Sequence, residues 1–124
     1  MRFLAAVVVV GIVIAACGGR AVDRFPVEGF VHAGPTCPIE SDPPDPACAD
    51  RPVPDAVLVV VDAAGGEVAS LRTDSDGRFR VELPAGTFTI VPQPVEGLLG
   101  TPGDVSITVP VDGRIDIAYD TGIR

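Results

Sequence analysis

The sequence predicts an all-β protein, an antiparallel β-sandwich of about seven short strands preceded by a cleavable leader. Three observations predict it. From Phe25 onward, apolar residues recur with period 2 rather than 3.6, the spacing of strands that bury one face. Turn signals containing Gly and Pro separate the alternating runs at short intervals. No stretch after residue 17 has helical spacing, and 13 prolines argue against a helix. Taken alone, the pattern allows a sandwich or a small barrel.

The expected strands follow in order. The first is PVEGFVHA (26–33). AVLVVV (56–61) is a solid apolar run, as in a central, well-covered strand. EVASLRT (67–73) alternates more weakly, with Ala69 and Leu71 inward. RFRVEL (78–83) sets Phe79, Val81 and Leu83 against Arg78, Arg80 and Glu82. TFTIVP (87–92) places Phe88 and Ile90 inside and Thr87 and Thr89 outside. VSITV (105–109) sets Val105, Ile107 and Val109 against Ser106 and Thr108. RIDIAY (114–119) sets Ile115, Ile117 and Tyr119 against Arg114 and Asp116. Between them stand Gly65-Gly66, Asp76-Gly77, Pro84-Ala85-Gly86, Pro102-Gly103 and Asp112-Gly113, each suited to a reversal of the chain. The 124 residues leave room for one domain, and no internal repeat is present.

The N-terminus has the anatomy of a secretory leader. Arg2 supplies a positive start, residues 3–14 are continuously apolar, and Ala15-Ala16 are the small residues of a cleavage region. Ile14-Ala15-Ala16-Cys17 resembles the bacterial lipobox. That resemblance implies a diacylglyceryl group on the Cys17 sulfur, cleavage just before Cys17, and Cys17 as the new N-terminus. A spanning helix is the competing reading, but the run is shorter than the roughly 20 residues such a helix needs, and no basic stop-transfer cluster follows. A plain signal peptide cut after small residues would leave Cys17 free. Two or three acyl chains, at about 0.8 kcal/mol per buried CH₂, anchor a small domain stably. The expected organisation is a signal peptide over 1–16, a lipidated N-terminus and tether over 17–24, and a sandwich over 25–124. The expected location is the cell membrane, lipid-anchored and facing the extracytoplasmic side.

Lipidation of Cys17 leaves Cys37 and Cys48 as an even pair in an exported chain, so a disulfide closing the loop 37–48 is expected. The segment between them, PIESDPPDPA, is rich in Pro and acid and cannot order itself by burial. A metal site built from His32, Cys37, Cys48 and a nearby Asp is the alternative. It is short of ligands, with one His in the whole chain and no CxxC.

Residues 53–92 carry a recognisable pattern: an aliphatic strand after a Pro-Asp-Ala turn, a Gly hairpin, Thr73-Asp74-Ser75-Asp76-Gly77-Arg78-Phe79, then Leu83-Pro84-Ala85-Gly86-Thr87-Phe88. This stretch resembles the carboxypeptidase regulatory-like domain, one of the transthyretin-like β-sandwiches alongside Cna-B repeats. Val27-Glu28-Gly29 supplies the matching first strand. The family's usual Gly before the alanine is Asp55 here, and the cysteine loop lies outside the pattern. The resemblance implies the sandwich fold and an accessory role as spacer, stabiliser or binding platform.

Composition excludes several functions. Formal net charge is −8, which disfavours nucleic-acid binding and attraction to anionic headgroups. The absence of Lys excludes a Schiff base, a Walker lysine and a Lys-based isopeptide cross-link, and the absence of Asn excludes an N-glycosylation sequon. Asp74 and Asp76 recur as in the start of a calcium loop, but the later ligand positions are not filled, so a β-turn is expected. None of Ser41, Ser70, Ser75 and Ser106 lies in GxSxG, and His32 is expected to be an exposed strand-end residue. No catalytic residue, metal or cofactor is therefore assigned. The expected role is a non-catalytic binding or structural module on the membrane. Loops 38–47 and 93–103 are its candidate contact surfaces for an envelope partner. Leu98 and Leu99 are either core plugs or an exposed patch. A small enzyme or a metal-handling envelope lipoprotein is the alternative.

Overall fold

A computed structural model describes residues 22–39 and 42–123. The leader, Cys17 and most of the tether lie outside the described residues. Eight strands form: β1 (Arg24–Gly34), β2 (Arg51–Pro52), β3 (Val57–Asp62), β4 (Glu67–Arg72), β5 (Arg78–Pro84), β6 (Gly86–Pro92), β7 (Val105–Val109) and β8 (Ile115–Asp120). The only helical element among the described residues is one 3-10 turn, Pro46–Cys48, with Asp45 capping it by accepting from the Ala47 amide. No helix among them is long and apolar enough to cross a membrane.

Two sheets pack face to face. Sheet A is built on β1. Along one edge β1 pairs antiparallel with β5 from Arg24 to Phe30, then with β2 at His32 and Ala33. Its other edge holds β8 in parallel from Gly29 to Gly34. That one parallel pair was not expected in a sandwich that is otherwise antiparallel. Sheet B has the order β4-β3-β6-β7, all antiparallel.

Alternation puts the core where the sequence pattern set it. Val27, Val31, Phe79, Leu83, Ile115, Ile117 and Tyr119 point inward from sheet A. They meet Leu58, Val60, Phe88, Ile90, Ile107 and Val109 from sheet B. Ala69, Leu71, Val81 and Val105 pack against this cluster half-buried. β3 is central, but only its Leu58–Val60 face is covered; Val57, Val59 and Val61 are half-exposed on the outer face. Gly29 lies where β1 is flanked by β5 and β8, and a Cβ there would run into the Phe79 ring and the Ile115 carbonyl. That close approach explains the glycine.

Candidate functional site

The two loops singled out from the sequence gather at one pole of the sandwich, beside the C-terminal ends of β1 and β8. Cys37 and Cys48 are joined, with S–S 2.11 Å and Cα–Cα 5.3 Å. The Thr36 hydroxyl donates to the Ala49 carbonyl across the base of the ring they close. The Thr121 amide donates to Gly34 and its hydroxyl to Pro35, tying the chain after β8 to the start of the same loop. Loop 93–103 comes to this pole through Leu99 and Gly100, whose amides both donate to the Asp120 carbonyl. Between the segment leaving the disulfide ring and loop 93–103 lies a groove of about 280 Å³, floored by Val53, Val95 and Leu98 and rimmed by Arg51 and Glu96.

The two leucines separate. Leu98 is half-buried, packs against the core and lines the groove. Leu99 is 82% exposed, with its side chain against Gly122. One is a core plug and the other a surface residue.

His32 departs from its expected place. Its side chain is 17% exposed, because it lies in β1 between β2 and β8 rather than at a free strand end. Nδ1–H donates to Asp50 Oδ2 at 2.6 Å, Nε2 lies 3.7 Å from Asp116 Oδ1, and the ring stacks on Phe30 at 5.4 Å between centroids. Both nitrogens therefore face carboxylates, and none of Ser70, Ser75 and Ser106 is among the histidine's partners. The imidazole fastens the segment after the disulfide ring to β1. The metal alternative loses its sulfurs to the disulfide, and among the described residues no group of three or more His, Cys, Asp or Glu could hold an ion.

Asp74 is a turn residue. Its Oδ1 accepts from the amides of Asp76 and Arg78 at 2.9 Å each, and Gly77 takes a φ of +73°. This oxygen is thus engaged in folding the chain. A residue with no assigned role in the sequence reading proves central here. Thr73, 3% exposed, donates its hydroxyl to the Val53 carbonyl at 2.6 Å and accepts from the Ala56 amide at 2.8 Å. It clamps the turn 53–56, where Asp55 has a φ of +57° in the left-handed region that favours glycine. The family's Gly at that position thus has a conformational reason.

These features define the class: a two-sheet β-sandwich whose motif residues Thr73, Asp74 and Gly77 hold turns and whose Phe79 and Phe88 fill the core. The chain belongs to the carboxypeptidase regulatory-like domain family, whose family model matches residues 45–119. The match runs beyond 53–92 in both directions, entering the disulfide ring and taking in β7 and β8. No curated protein sequence matches the chain. Several solved structures share the fold. The minor pilin of Streptococcus agalactiae superposes with a TM-score of 0.59 at 13% identity, covering 80% of this chain and 45% of that one. For the major pilin subunit of Bacillus cereus the values are 0.54, 16%, 79% and 28%. For the shaft pilin of Lactobacillus rhamnosus GG they are 0.52, 11%, 80% and 50%. The chain thus spans half or less of each, and at these identities the likeness is one of fold.

Proposed function

We propose that the chain is a lipid-anchored cell-envelope protein, held at the extracytoplasmic face through Cys17, whose sandwich acts without catalysis as a binding or structural module. The observation that carries this reading is Ile14-Ala15-Ala16-Cys17, placed at the end of an apolar run and seven residues ahead of β1. Seven extended residues reach about 25 Å at most, so the tether holds the domain close to the bilayer. A non-catalytic role is supported by the way the distinctive polar side chains are used: Thr73, Asp74 and His32 each hold a turn or a neighbouring segment. The likeness to pilin sandwiches supports the structural half of the reading, and the pole formed by loops 38–47 and 93–103 supports the binding half. Cys17→Ala tests the anchor. Wild type partitions with membranes and takes up labelled palmitate; the variant moves to the soluble fraction and takes up none. Retention of the variant in membranes refutes the anchor.

A further inference from the structure

We propose that the open edge of β7 pairs with the β7 of a second copy of this chain, antiparallel about Ile107, so that sheet B runs on from one subunit into the other. β7 has one strand neighbour, β6. Among the described residues, no turn, loop or cap hydrogen bond uses the backbone of residues 105–109. Every second N–H and C=O of the strand is therefore available for pairing.

Native sheets guard such edges with charges, prolines, bulges or covering segments. The other edges here carry those guards. β5 bears Arg78, Arg80 and Glu82 and ends at Pro84. β4 opens on Glu67, closes on Arg72, and meets β3 across a register shift at Val60/Val61. β8 bears Asp116, and its far end is taken by Gly100. β7 reads Val-Ser-Ile-Thr-Val, with no charge, proline or register shift, and four of its five residues are β-branched.

Charge limits a second copy to one register. A chain of net charge −8 can approach itself only where acid does not face acid. Centring the pair on Ile107 sets Val105 against the other copy's Val109 and Ser106 against its Thr108. The flanking Asp104 then faces Pro110, and Asp112 faces Pro102. A slip by one residue would turn Ile107, 7% exposed and part of the core, toward the outer face. On that outer face Ser106 and Thr108 continue a row begun by their register partners Thr89 and Thr87 on β6. Beside the row lie Val57, Val59, Val61 and Val91, so the outer face is uncharged across β3, β6 and β7 and takes up charge only at β4, where Arg72 stands opposite Val57.

The surface is separate from the polar loops and does not rest on the lipid reading. The test uses the full chain. With Ser106→Cys/Thr108→Cys, mild oxidation in the membrane fraction is expected to give a dimer on non-reducing gels, because each new thiol faces the other kind across the axis. In detergent solution, sedimentation is expected to show dimers of the wild type. Ser106→Lys/Thr108→Lys sets like charges opposite one another and weakens the dimer at least tenfold, while Ser106→Lys/Thr108→Glu sets opposite charges and keeps it. Both positions are exposed, so each variant is expected to keep the far-UV circular dichroism of the wild type, which checks that the fold survives. A monomer at every concentration overturns the proposal, as does a dimer indifferent to the Lys/Lys change. Equal weakening by the Lys/Lys and Lys/Glu pairs overturns the register. Cross-linking to a different protein overturns the second copy as occupant.

Discussion

Removing one hydroxyl from Thr73 is expected to destabilise the domain more than most core truncations of similar size. In Thr73→Val the side-chain volume is kept, so no cavity forms, and the backbone bonds that Thr73 makes with Asp55 and Ala56 remain. What disappears is the hydroxyl's pair of bonds, at 2.6 Å to the Val53 carbonyl and 2.8 Å from the Ala56 amide. Both partners belong to buried residues, at 4% and 0% exposure, so water cannot replace the lost group. Leaving a buried donor or acceptor unsatisfied costs about 1–3 kcal/mol each, which gives about 2–6 kcal/mol for the pair. At about 4–8 °C of Tm per kcal/mol for a domain of this size, the melting point falls by at least about 8 °C. Urea denaturation and thermal melts followed by far-UV circular dichroism measure it. Thr73→Ser keeps both bonds and is expected to lose only about 1 kcal/mol, through its missing methyl. If Thr73→Val lies within about 1 kcal/mol of wild type, the clamp is not what holds the 53–56 turn, and the reasoning fails.

Four further outcomes follow from the same geometry. Gly29→Ala should destabilise by about 2 kcal/mol or more, because its methyl meets the Phe79 ring and a carbonyl of β8; an unchanged urea midpoint would show that β1 and β5 can part to make room. Replacing Cys37 and Cys48 together by Ser should cost about 3 kcal/mol, read as a lower urea midpoint, and titration of native protein should find neither as a free thiol. Leu98→Asp should destabilise markedly while Leu99→Asp leaves the melt unchanged, since one side chain packs on the core and the other is exposed. Tyr119 is the sole tyrosine, and burial pushes its phenol above the usual range. A raised value means that the folded state holds this proton more tightly. Its contribution to stability is present below about pH 10 and lost as pH rises through the folded value, so tyrosinate absorbance should appear above that pH together with unfolding. Ionisation near pH 10 with the fold intact would contradict the buried position.

Six of the strands were legible because each carries its own period-2 signal; β3 is a solid apolar run, and β2, two residues long, carries no signal of its own. Phe79, Phe88, Ile90 and Ile117 are inward for the local reason that the pattern gave. The direction of β8 against β1 was not legible, since alternation in Ile115, Ile117 and Tyr119 is the same whether the neighbour runs parallel or antiparallel. Nor was the burial of His32: a lone polar residue in an apolar run acquires its setting from Asp50 and Asp116, which are 18 and 84 residues away. Leu98 and Leu99 could not be separated by sequence because a loop has no period. Thr73 was within reach. A Thr at the strand end of a motif, facing a turn whose Gly is replaced by Asp55, signals that something else must hold that turn.

The parallel seating of β8 on β1 has a mechanical meaning. A load entering at the N-terminal end of β1 and leaving at the C-terminal end of β8 pulls the two strands in opposite directions along their common axis. The six registered pairs from Gly29–Ile115 to Gly34–Asp120 are then strained together in shear. An antiparallel pair gripped at neighbouring ends would instead open one bond at a time, like a zip. Tension along this path meets the ladder in its stiffest direction, with the core on one side and the ion-paired face of sheet A on the other.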